Sequence, residues 1–199
     1  MRFMRVLIGL AAVLVLVTVQ QFTAQTAAKK EAAPAQKAAP AGDVEKGKYL
    51  VTLGGCNDCH TPKTPTAELD TKRLLSGHPA SEKIMAVPAG LIAPNKWGAI
   101  TNNHLTMWVG GWGATFAPNL TPDKATGLGA WTPEMFVKAL KTGKHRGEAN
   151  GRAILPPMPW QMYQNMTDTD LRAMFAYLQS LPAVNNMAPT PLTPDKVPH

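Results

Sequence analysis

A chain of 199 residues, 45% of them hydrophobic, carries apolar side chains for one ordinary core and too few for two. Its formal charge of +7 comes from scattered basic residues without a dense run or aromatic interleaving. That pattern speaks against nucleic acid and leaves solubility or an acidic protein partner as its meaning.

The chain opens with Arg2 and Arg5, followed by an apolar or small stretch from Val6 to Val19. A charged start followed by such a stretch is the pattern of a secretory signal over residues 1–28. Thr26 and Ala28 supply the small residues for cleavage after Ala28. The stretch is shorter than the roughly 20 residues of a bilayer span, which favours a cleaved leader over an uncleaved anchor. Ala27 to Gly42 is almost entirely Ala, Lys, Pro, Gln and Glu, so residues 29–42 read as a flexible tether.

Order is expected from residue 43 to 185 as one mostly α domain. Asp43 is a plausible N-cap for a helix through Val44, Leu50 and Val51 that stops at Gly54-Gly55. A second helix is announced at Thr132-Pro133-Glu134 and closes at Gly143. A third begins at Thr167 and spaces Leu171, Met174, Phe175, Leu178 and Leu181 for one face before Pro182. The best strand signal is the short stretch from Leu105 to Val109. Residues 61–131 read as loops with short helical turns. A large buried cofactor would organise them by giving Trp97, Met107, Trp108 and Trp112 a surface to pack on. The Pro-rich tail, 186–199, reads as mobile from Ala188, and His199 has no role.

Cys56-Asn57-Asp58-Cys59-His60 is C-x-x-C-H, and it holds the only cysteines of the sequence. Two thiols three positions apart on a helical turn can both form thioethers with a porphyrin, while the adjacent imidazole comes under the iron. Attachment of this kind takes place outside the bacterial cytoplasm, in keeping with the leader. Three other readings stay open: a disulfide closing a short loop of little entropic value, a redox dithiol lacking its βαβ setting, and half a zinc site lacking a second ligand pair. The sixth iron ligand must come from elsewhere. Met158 is the candidate, because Pro156, Pro157 and Pro159 hold it in a constrained loop between two helices. Met162 and Met166 lie in freer surroundings, and Met174 belongs to a core stripe.

With these residues in view the chain resembles a class I cytochrome c domain. It is more specifically similar to the haem domains of cytochrome c subunits serving periplasmic alcohol, aldehyde and sugar-acid dehydrogenases. The likeness rests on the CNDCH motif, Ala117 to Asp123, Thr126 to Gly129 with Trp131, the Pro157-Met158-Pro159 loop, and Thr167-Asp168 leading to Tyr177-Leu178. It covers about Asp43 to Val184. It implies one covalent haem c on Cys56 and Cys59, iron ligated by His60 and Met158, and a crossing of first and last helices near Gly47 and Tyr177. Those subunits usually string two or three haem domains together, and only one C-x-x-C-H stands here. Pro65 to Leu105 exceeds a minimal domain and is expected to cover a haem edge or dock a partner.

The implied function is periplasmic electron transfer, without catalysis, between redox proteins such as a dehydrogenase and a terminal oxidase or another cytochrome. Lys46, Lys48 and Lys63 are candidates for a charged docking rim, and Asn119, Trp131 and Arg152 for haem propionate contacts. The competing readings are a haem peroxidase or ligand sensor with an open sixth position, and an exported thiol-disulfide oxidoreductase.

Overall fold

The structure is a computed structural model, and it describes residues 41–199. The expected leader and most of the tether fall outside the described residues; the tether's last two residues, Ala41 and Gly42, open the first helix. Helix α1 therefore runs Ala41–Leu53, with Asp43 in its first turn and not at its cap. It is followed by α2, Cys56–His60, then three strands, β1 Ala99–Thr101, β2 Met107–Gly110 and β3 Gly113–Phe116. After these come α3 Pro133–Thr142, α4 Trp160–Tyr163 and α5 Asp168–Ser180. Among the described residues no helix is long and apolar enough to cross a membrane.

Two hydroxyls start the long helices where the sequence places them. Thr132 Oγ1 accepts from the Met135 amide at 3.3 Å and Thr167 Oγ1 from Asp170 at 3.1 Å, caps that stabilise by about 1 kcal/mol each. Gly143 ends α3, its amide donating to Ala139. Inward-facing Phe136, Val137 and Leu140 of α3 meet Leu171, Met174, Phe175 and Leu178 of α5, with the Phe136 and Phe175 rings 5.4 Å apart. Val51 of α1 completes this main core. The helices α1 and α5 cross at Gly47, where a Cβ would run into the Ala173 carbonyl and the Cβ of Tyr177. The expected crossing is thus present, and its closeness depends on the bare glycine backbone.

The region 61–131 departs from the expectation of loops. It carries an antiparallel sheet in the order β1-β2-β3, with Ile100 opposite Val109 and Trp108 opposite Thr115. Alternation sends Met107, Val109, Ala114 and Phe116 into a second core with Val87 and Val197. Met107 therefore packs on protein, and Trp97, 63% exposed, is on the surface; neither supports a cofactor as first expected. The tail, expected to be mobile, packs on the sheet. Leu192 bridges to Ala114, Val87 donates to the Pro198 carbonyl, and His199 Nδ1 lies 3.1 Å from the Val87 carbonyl. Hydrophobic burial between three distant stretches organises the long insertion.

Candidate functional site

Gly55 opens α2 in the left-handed region, φ 66°, a turn that a side chain would strain. One helical turn then carries Cys56, Cys59 and His60. Both thiols are free of a disulfide. Burial pushes the Cys56 thiol up to about 11, and burial followed by the Asp58 carboxylate raises Cys59. A redox dithiol is favoured by the opposite shift, toward an available thiolate.

His60 is buried, and its Nδ1 sits 2.9 Å from the carbonyl of Pro118. A carbonyl only accepts, so Nδ1 carries the proton and Nε2 keeps its lone pair. Burial lowers the imidazole's pKa and outweighs the Pro118 bond, which keeps the ring neutral at physiological pH. A neutral imidazole oriented through its other nitrogen by a carbonyl is the usual state of a metal-ligating histidine.

Met158 is half-buried and packs against the main core, as does Cys56. Its loop is fastened at two points. Thr115 Oγ1 donates to the Pro156 carbonyl at 2.8 Å, and Tyr163 of the following α4 donates its hydroxyl to the Gly54 carbonyl at 2.5 Å. The loop is thereby tied to strand β3 on one side and to the approach to Cys56 on the other. Of the alternatives, Met162 is 70% exposed, and Met166 packs against the core.

The sheet is a wall of this site that the sequence did not disclose. Trp108 and Thr115, paired across the hairpin, occupy the face opposite the second core. Trp108 lies against the Cys59 thiol and Thr115 holds the Met158 loop. The signal was present in the alternation of Met107-Trp108-Val109, but nothing local says which face meets Cys59.

Other expectations are corrected. Lys63 is only 9% exposed, and its ammonium donates to the carbonyls of Asp58 at 2.7 Å and Thr61 at 3.0 Å, closing the end of α2. Lys46 pairs with Asp170 at 2.6 Å. Of the three candidate rim lysines, Lys48 alone has an exposed side chain outside these bonds. Asn119 is buried and fully engaged. Its oxygen accepts from Thr121 while its nitrogen donates to Thr126 and to Val184, so it braces loops and is not free for a propionate. Trp131 stands edge-on to His145 with the Arg146 guanidinium over its ring. Arg152 is exposed, and among the described residues its guanidinium has no partner beyond the neighbouring Ala153 carbonyl.

A family model described as Cytochrome c matches residues 44–182. Among curated relatives, the gluconate 2-dehydrogenase cytochrome c subunit of Pantoea cypripedii is 29% identical over 135 residues, 67% of this chain and 22% of its own length. The fructose dehydrogenase cytochrome subunit of Gluconobacter japonicus is 28% identical over 74% of this chain and 23% of its own. The cytochrome c subunit of the quinone-dependent alcohol dehydrogenase of Gluconobacter oxydans is 29% identical over 67% of this chain and 20% of its own. The chain spans less than a quarter of the length of these relatives.

Proposed function

The chain belongs to the cytochrome c family, and from that premise we propose that it is an exported, non-catalytic electron carrier holding one haem c. In this reading Cys56 and Cys59 bind the haem covalently, and His60 and Met158 ligate its iron. When bound, the group supplies a one-electron couple, raised in potential by a methionine ligand and closed to substrate by a filled sixth position.

The observation that carries the reading is the state of His60. It is buried and neutral, with Nδ1–H committed to Pro118 and the Nε2 lone pair left to bind a metal, directly after the second thiol. The residues present fit the group in two further respects. Both thiols are uncrosslinked on one turn, and a thioether is held by a loop fastened at both ends. A single attachment motif in this sequence supports one haem. The leader-like residues 1–28 support a periplasmic location. The relatives' names, as cytochrome subunits of dehydrogenases, support a dehydrogenase as donor, with another cytochrome or an oxidase as the proposed acceptor.

The test is an absorption spectrum of the exported protein, oxidised and reduced, beside Met158→Ala. A reduced c-type spectrum and a weak far-red sulfur-to-iron band are expected, with the band lost and carbon monoxide bound in the variant. Carbon monoxide binding by the unaltered protein would overturn Met158 as ligand and put a peroxidase or sensor first.

A further inference from the structure

Among the described residues Lys63 is the only lysine, arginine, aspartate or glutamate that is buried. A charge gives up its hydration on leaving water, so a buried one ordinarily has an oppositely charged partner. Among the described residues Lys63 forms no ion pair. Its three ammonium hydrogens serve backbone carbonyls instead, those of Asp58 at 2.7 Å, Thr61 at 3.0 Å and Asn57 at 3.4 Å. Carbonyl dipoles solvate a cation without cancelling its charge. The acids of this neighbourhood are engaged elsewhere or face water: Asp70 pairs with Arg73, Glu82 with His104, and the Asp58 side chain is exposed.

The position of this charge is fixed from both ends of the residue. The Lys63 amide donates to His104 Nδ1 at 2.9 Å and the backbone bridges to Leu69, while the ammonium closes the end of α2. Because His104 accepts through Nδ1, its own proton lies on Nε2 toward Glu82, and the ring adds no second charge. The α2 turn has five residues, about 7.5 Å of helix, so a cation on its last carbonyls stands within roughly 12 Å of whatever Cys59 and His60 hold. The Cys59 sulfur already senses it: burial and Asp58 push that thiol up, and Lys63 opposes them.

We propose that Lys63 sets the reduction potential of this carrier, its buried ammonium acting as a fixed positive charge that favours the reduced over the oxidised haem. This rests on the electron-transfer reading above and adds to it a residue that tunes the couple without touching the iron. Oxidised iron carries one more positive charge than reduced iron, so a nearby cation disfavours the oxidised form. The electron comes from and returns to the redox partner, and the ammonium keeps its protons throughout. At an effective dielectric of about 20, a unit charge at about 12 Å is worth a factor of about ten in the ratio of the two states.

The experiment is a spectroscopic redox titration of the exported holoprotein beside Lys63→Met, Lys63→Gln and Lys63→Arg. Glutamine is neutral yet can still donate to the α2 carbonyls, so it carries the test where the methionine variant does not fold. At the potential that leaves the parent half reduced, the two neutral variants should show a reduced-to-oxidised ratio about tenfold lower, a shift of about 59 mV. The deficit should persist at about 1 M salt, since a buried charge is little screened. Lys63→Arg, which keeps the charge, should stay within about twofold of the parent. The far-red sulfur-to-iron band of the oxidised variants reports whether the axial ligands are still in place. An unchanged ratio in Lys63→Gln would overturn the proposal. So would an equal fall in Lys63→Arg, or a fall accompanied by loss of the band, either of which would leave Lys63 as a cap on α2 alone. Absence of a haem spectrum from the parent would instead overturn the electron-transfer reading itself, and this one with it.

Discussion

Lys63 shows how little of a side chain's role is written in its type. Three residues beyond the motif, a lysine reads as a solvated charge, yet its ammonium satisfies the carbonyls that end α2. The helix is five residues long, so its last carbonyls have no partners within the turn, and a cation there is favoured on both counts. Lys63→Met should cost about 1–2 kcal/mol, seen as a lower urea midpoint at unchanged slope. The C-x-x-C-H spacing is local, so the sequence alone shows that Cys56, Cys59 and His60 share one turn, as they do in α2. The use of Lys63 was not legible, since it depends on where the chain turns after His60. Asp123 makes a related case. Its carboxylate accepts from the Thr126 hydroxyl and amide and from the Ala125 amide, which holds its pKa below the usual range. A lowered carboxylate contributes stability that is complete above the unfolded value and is lost as pH falls through the folded one. Thermal melts should therefore fall in temperature as the pH is taken below about 4. The decline should be shallower in Asp123→Asn.

At the level of elements, helices announced by caps and periodicity appeared within a residue or two of expectation. Thr132-Pro133, Gly143 and Thr167 are local signals whose physics acts within one turn, so a sequence window contains the whole argument. The strands have three or four residues each and exist by pairing with one another and with Leu192, far along the chain. The stretch from Leu105 to Val109 announced part of β2, and the β2–β3 hairpin lies within ten residues, but Leu192 is beyond any such window, and the extent of the sheet stayed hidden. The α1–α5 crossing is the element contact most sensitive to a single atom. Gly47→Ala inserts a methyl where the Ala173 carbonyl already lies, so exported yield should collapse or stability fall by about 3 kcal/mol or more. Gly42→Ala, with nothing within 4 Å of its added Cβ, is the matched control and should leave the urea midpoint within about 0.5 kcal/mol of the parent.

Across the whole molecule, the helical core and the sheet core have separate side chains, and the second is completed by the tail. Leu192→Asp places a carboxylate against Ala114 and should unseat the sheet first. Hydrogen exchange should accelerate at Val109 and Ala114 while Val51 and Phe175 keep their protection. The sheet also sets a dimension of the candidate site. Thr115 holds the Met158 loop, and Pro118, three residues on, orients His60. A chain of that length reaches at most about 11 Å, so one short stretch of backbone fixes how far apart its two anchorages can stand. The helices can breathe and the outer loops can lengthen without changing that interval. The end of β3 and the turn after it thus give the site a ruler, with the imidazole's support at one end and the thioether's at the other.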